Sequence, residues 1–251
     1  MRTRFADQHV LIIGGNSGIG RACAASFAAE GARVIITGRR GTELKSALET
    51  IGHDAVAIQS DVADLRAQDE LVRTVRADFG RIDVLFVNAG YGTARRIDES
   101  SEADWDSMFA VNLKGMYFIV QRCLPLMPSG SSIVLTSSLA AVKSLPGLSI
   151  YSAAKAGVIS LGRSLAAELA ERGIRVNVVS PGPIDTGLLE RSSGIPAAVL
   201  PEMKRQVAQQ NPMKRWATAE EVAGIVLFLS SSEASFITGT NTLVDGCAHT
   251  A

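Results

Sequence analysis

The chain has 251 residues, 47% hydrophobic and 20% charged, the make-up of a folded globular protein of one large or two small domains rather than a disordered chain. Lys plus Arg and Asp plus Glu are both 25, so the formal net charge is zero and nothing points to nucleic acid or another polyanion. No apolar run approaches the ~18 residues that span a bilayer, and the opening MRTRFADQHVLIIGG is too short in its apolar part for a signal-peptide core. Cys23, Cys123 and Cys247 lie far apart, with no disulfide framework and no metal-ligand spacing. A reduced, cytoplasmic setting without membrane attachment is expected.

In chain order, short β-branched apolar runs alternate with amphipathic stretches. HVLIIG (9–14) is followed by a helical pattern at 18–29, RVIITG (33–38) by 41–51, and AVAIQS (55–60) by 65–79. DVLFVNAG (83–90) precedes a long pattern at 102–126, and SIVLTSS (132–138) precedes another at 150–172. RVNVVSPG (175–182) leads into an irregular segment at 187–211, then a helix near 218–230 and a last strand, TNTLVD (240–245). The runs are continuous rather than alternating, as in strands buried on both faces, and strand–helix alternation implies parallel pairing. The expected fold is α/β: one doubly wound, Rossmann-like domain over 1–251, with helices on both faces of the sheet. Segment 187–211 breaks the alternation at the carboxyl end of a strand, where such sheets bind ligands, and is expected to bind substrate.

The first strand runs into GGNSGIG (14–20), at the start of the first helix. Glycines there allow a tight turn and close approach of a pyrophosphate, and the helix amino end offers its N–H groups to the phosphates. The second strand ends in Gly38 and Arg39, where an NAD site commonly carries an acidic residue for the ribose 2′-hydroxyl. An arginine there suits a 2′-phosphate, so NADP(H) is favoured over NAD(H), the alternative being an Arg39 that only lies on the rim. YSAAK (151–155) places Tyr151 and Lys155 four apart, on one helix face, where an ammonium beside a phenol favours the phenolate.

GGNSGIG, Asp61-Val62, NAG (88–90), Asn112, Ser138, Tyr151 with Lys155, and PGPIDT (181–186) occur in this order, and with them the whole chain resembles a short-chain dehydrogenase/reductase. That resemblance implies a seven-stranded parallel sheet and a catalytic set of Asn112, Ser138, Tyr151 and Lys155. It implies that Gly14, Asn16, Ser17, Gly18, Ile19 and Gly20 cradle the cofactor phosphates and that Asp61 and Val62 meet the adenine. Asn88, Ala89 and Gly90 would line the cofactor, Tyr151 and Lys155 would reach its nicotinamide end, Ile184 and Thr186 would contact the carboxamide, and Pro181 and Gly182 would also bind the cofactor. Tyr151 would donate the proton in reduction and take it in oxidation, Ser138 would hold the substrate oxygen, and Asn112 would hold a water of a proton relay. A free phenol has a pKa of about 10, so work near neutrality asks for roughly 4 kcal/mol of stabilisation of the phenolate, expected here from Lys155 and the oxidised nicotinamide. Homotetramers or dimers would form through helices at about 102–126 and 150–172. Three positions depart from the family pattern: Ile13 replaces a threonine, Val87 an asparagine, and Cys247 the second of two glycines.

The expected substrate is a small ketone or secondary alcohol of apolar character, in a cleft lined by Tyr91, Leu139, Leu145, Pro146, Pro183 and segment 187–211. A 3-oxoacyl group on a carrier protein and a sugar or polyol are the alternatives, and a non-catalytic NADP(H) sensor is disfavoured by the intact Tyr151 and Lys155. Trp105 and Trp216 are read as core or rim aromatics. His9, His53 and His249 are read as structural residues without a metal or catalytic pattern.

Overall fold

The computed structural model describes residues 3–52, 54–187 and 198–250. His53 and the 188–197 part of the expected substrate segment lie outside them. The main sheet is built from β1 (His9–Ile13), β2 (Arg33–Gly38), β3 (Val56–Gln59), β4 (Val84–Val87), β5 (Ser132–Thr136), β6 (Arg175–Pro181) and, late in the chain, Asn241–Val244. Its order is β3-β2-β1-β4-β5-β6 and then that last strand, with every pair parallel, as expected. The order reverses between β1 and β4, which opens a crevice at their carboxyl ends.

The strands read as unbroken apolar runs because each feeds two cores. Leu11 and Ile13 of β1 pack on one side with Leu85, Met116, Ile119 and Val158. Val10 and Ile12 pack on the other with Phe27, Ile36, Phe86 and Val226. Full burial of such a side chain contributes about 1.5–3 kcal/mol, so the alternation sets both layers of helices. One layer holds α1 (Gly18–Ala29) and α2 (Gly41–Ile51), the other α3 (Leu65–Phe79). The Asp64 side chain caps α3 by accepting from the Arg66 and Ala67 N–H groups, which stops the helix from starting earlier.

The expected single helix at 102–126 is divided. It consists of α4 (Glu102–Phe109), a π turn over Ala110–Lys114, α5 (Gly115–Cys123) and a 3-10 turn over Leu124–Leu126. The helix α6 (Ser149–Leu169) ends in a 3-10 turn at Ala170–Arg172. After β6 come β7 (Ile184–Asp185), α7 (Leu200–Gln210), β8 (Ala217–Thr218), α8 (Ala219–Ser230) and the last sheet strand, β9 (Asn241–Val244). The strands β7 and β8 form a second, two-stranded sheet that the sequence reading did not contain. Among the described residues no helix is long and apolar enough to cross a membrane.

Cys247, which follows β9, has φ 68°, the left-handed region. The backbone there suits glycine, which explains the expected glycine at that place.

Candidate active site

The turn after β1 is shaped for close approach. Gly14 has φ +84° and Gly18 φ +52°. A Cβ on Gly20 would lie 2.0 Å from the Gly14 carbonyl oxygen, so Gly20 sits against the turn and only its neighbours reach the cavity. Ser17 is the N-cap of α1 but its side chain makes no capping bond, which leaves the first N–H groups of the helix facing the crevice.

Two adjoining cavities run along the carboxyl ends of the strands and share Ser17, Asn88, Gly90 and Tyr91. The smaller, about 230 Å³, is lined by Gly14, Asn16, Arg39, Arg40, Asp61, Val62 and Ala89, among others. One Asp61 oxygen accepts from the Ala63 N–H at 2.9 Å. The larger, about 390 Å³, contains Gly18, Ile19, Ser138, Tyr151, Lys155, Pro181, Gly182, Ile184 and Thr186. A glycine cradle at a helix amino end, an arginine-rimmed lobe beyond it and a second lobe across the switch point fit the two halves of a dinucleotide.

Ser138 lies two residues beyond β5, in extended backbone, and its Oγ accepts from the Ala140 N–H at 3.2 Å to start a 3-10 turn. Tyr151 and Lys155 stand one turn apart on α6, with the Lys155 Nζ 5.9 Å from the Tyr151 ring centroid. Lys155 is 2% exposed. Its ammonium donates to the Thr136 carbonyl at 2.9 Å, and its own carbonyl accepts from Ser137 Oγ at 2.7 Å. Burial pulls its pKa down to about 8.

Tyr151 behaves differently from the sequence expectation. Burial pushes its pKa above that of a free phenol, and the opposing influence is a hydrogen bond with Ser138 rather than the charge of Lys155.

Asn112 sits in the π turn, wholly buried and off the cavity wall. Its Nδ2 donates to the Tyr91 and Met108 carbonyls at 2.9 and 3.0 Å, and its Oδ1 accepts from the Tyr91 N–H at 3.3 Å. Gly90 lies between it and Lys155: a Cβ there would be 2.7 Å from Asn112 Oδ1 and 3.1 Å from Lys155 Nζ. Gln68, which the motifs did not single out, donates from α3 to the Val62 and Gly115 carbonyls at 2.6 and 2.9 Å. It thereby ties the smaller cavity to the end of the π turn.

A family model described as enoyl-(acyl carrier protein) reductase matches residues 13–249. The 3-oxoacyl-[acyl-carrier-protein] reductase FabG of Thermotoga maritima is 39% identical over 253 residues, covering 97% of this chain and 98% of that one. Levodione reductase of Leifsonia aquatica is 37% identical over 256 residues, covering 97% and 95%. A crystal structure of a levodione reductase superposes with a TM-score of 0.93 at 33% identity, over 99% of this chain and all of the other. The chain belongs to the short-chain dehydrogenase/reductase family. It is thus an oxidoreductase by family, and members of that family act between alcohol and carbonyl groups with nicotinamide cofactors.

In this short-chain dehydrogenase/reductase the larger cavity continues past Tyr151 between Tyr91, Leu139, Leu145, Leu148, Pro183 and Val207. Pro146, expected on the wall, is not among its lining residues. The sequence reading also missed Thr136 and Leu148, which line the larger cavity. It gave α7 no specific contact, yet Lys204 and Val207 reach the wall. Lys204 pairs with Asp185 at 2.9 Å, and its carbonyl accepts from Trp216 Nε1 at 2.9 Å; Trp216, read as a core or rim aromatic, itself lines the larger cavity. Trp105, 47% exposed, stacks on Phe109 with centroids 4.4 Å apart. His249 has a partner the sequence did not suggest, with Nδ1 2.8 Å from Asp245 Oδ2.

Proposed function

We propose that this chain is a single-domain, NADP(H)-dependent oxidoreductase that interconverts a ketone and a secondary alcohol, with Tyr151 as the general acid and base. The observation that carries the reading is the grouping of Ser138, Tyr151 and Lys155 on one wall of a cavity whose other end is the glycine cradle. A nicotinamide cofactor bound there supplies or accepts the hydride. In reduction Ser138 Oγ and the Tyr151 hydroxyl hold the substrate oxygen, and Tyr151 gives it the proton. The raised pKa of Tyr151 keeps that proton in place at neutral pH until the oxygen gains charge. Lys155 then favours the phenolate that is left, and Asn112, behind Gly90, holds the relay that returns a proton to it. In oxidation the same proton moves the other way.

Arg39 on the rim of the smaller cavity supports NADP(H) over NAD(H), since its guanidinium suits a 2′-phosphate. The apolar lining of the larger cavity supports a compact, rather apolar ketone. The likeness to a 3-oxoacyl-[acyl-carrier-protein] reductase supports a 3-oxoacyl thioester as a second reading. The exposed Trp105 on α4 supports self-association through α4, α5 and α6 into a dimer or tetramer. The buried thiols of Cys23 and Cys123 support a reducing, cytoplasmic setting.

The test follows reduced-nicotinamide absorbance with NADPH and then NADH, against small ketones and a 3-oxoacyl thioester, for the wild type and Tyr151→Phe. NADPH-dependent turnover that falls by about 10²-fold or more in the variant, with cofactor binding kept, is the expected result. Turnover that survives in Tyr151→Phe would sink the role given to that residue, and equal use of NADH would sink the cofactor preference.

A further inference from the structure

Glu43 belongs to none of the motifs, yet its carboxylate binds two residues that line the smaller cavity. It lies in the first turn of α2. Its Oε2 accepts from Asn16 Nδ2 at 2.6 Å and from Arg40 Nη2 at 2.5 Å, while Oε1 pairs with Arg40 Nε. Asn16 and Arg40 both line the cavity, together with Gly38 and Arg39. A Cβ on Gly38 would lie 2.9 Å from Asn16 Oδ1, so the Asn16 carboxamide occupies the space over the end of β2. That is where a dinucleotide site otherwise carries its ribose-binding carboxylate. Here a carboxylate stands one step farther out, and Asn16 links it to the site.

We propose that Glu43 sets the balance between 2′-phosphate and 2′-hydroxyl cofactors by holding Arg40 and by placing a negative charge beside the 2′-position. The inference rests on reading the smaller cavity as the adenosine end of a nicotinamide dinucleotide site. Both effects have the same sign. Paired with Glu43, Arg40 offers a 2′-phosphate less than a full positive charge, and the phosphate, carrying nearly two negative charges, is repelled by the carboxylate. A 2′-hydroxyl is neutral and feels neither effect. Arg39 attracts the phosphate and Glu43 moderates that attraction, so the chain discriminates less than its two arginines alone would. The side chains of Arg40 and Glu43 are 54% and 33% exposed, so salt screens the effect.

The test is the dissociation constant of NADPH and of NADH, read from reduced-nicotinamide fluorescence at low and high salt, for the wild type, Glu43→Gln and Glu43→Asp. Glutamine keeps the length and an acceptor for Asn16 but removes the charge. It is expected to tighten NADPH by about five- to tenfold at low salt, to leave NADH within about twofold, and to lose most of the difference at high salt. Glu43→Asp, which keeps the charge, is expected to keep the wild-type ratio. An unchanged ratio in Glu43→Gln overturns the proposal, as does an equal change for both nucleotides, the mark of a purely structural role at the start of α2. Wild-type protein that binds neither nucleotide overturns the dinucleotide reading as well, whereas an unchanged ratio on intact binding overturns only the part given to Glu43.

Discussion

Lys155 and Thr136 are joined by a 2.9 Å hydrogen bond from a buried ammonium to the carbonyl that ends β5. The bond holds α6 against the sheet at the point where Tyr151 must be placed, and it holds a nearly buried charge on the cavity wall.

That charge costs stability. Burial lowers the Lys155 pKa from 10.5 to about 8, so between those values the unfolded chain binds more protons than the folded one. Stability therefore rises with pH across that window, and the cost is fully present below about 8. The shift corresponds to something on the order of 3 kcal/mol, and replacing Lys155 takes a donor from the Thr136 carbonyl, a loss of about 1 kcal/mol. Lys155→Met is expected to stabilise the protein by about 2 kcal/mol at neutral pH while abolishing turnover. In urea denaturation the gain should fade as the pH approaches 10.5. A variant less stable than wild type at neutral pH would show that the buried ammonium is not a cost.

Gly90 is tightly enclosed by two of the groups that handle the proton. A methyl group there meets Asn112 Oδ1 at 2.7 Å and Lys155 Nζ at 3.1 Å; the Asn112 side chain is held by several hydrogen bonds and the ammonium by its bond to Thr136. Gly90→Ala is expected to lower kcat by about ten- to a hundredfold, since a small displacement of the proton-handling groups is enough. Steady-state kinetics with thermal denaturation alongside will show it, and a folded variant with wild-type kcat would refute the close coupling of these groups.

Cys247 takes a left-handed backbone, with φ 68°, that a glycine adopts without strain. Cys247→Gly is expected to stabilise the protein by roughly 1 kcal/mol with no change in kcat. A loss of stability would mean that the thiol, 3.1 Å from Thr250 Oγ1, contributes more than the strain costs.

Much of this was legible in the sequence. Parallel pairing followed from the alternation of apolar runs with helices, because parallel strands buried on both faces announce themselves by composition. The site residues came from motifs that the fold brings to one crevice, and apart from Gly20 and Asn112 they line it. What was missed has a physical cause in each case. The strands β7 and β8 have two residues each, too few for any period. The π turn leaves the apolar spacing intact on either side of Asn112, so 102–126 reads as one helix. Glu43 reaches Asn16 across 27 positions, a contact that no local pattern records. The expected fall in the Tyr151 pKa rested on the charges of Lys155 and of the oxidised nicotinamide, and in the protein alone burial acts the other way.

The π turn at Ala110–Lys114 is one residue more than a regular helix requires. Each residue rotates an α-helix by about 100°, so dropping one there would turn the Trp105–Phe109 face relative to the Met116–Cys123 face and carry Asn112 away from Gly90. A deletion scan should therefore find this helix intolerant of the very shortening that would make it regular. Where most helices accept a tidier backbone, this one keeps an irregularity as the address of a single side chain.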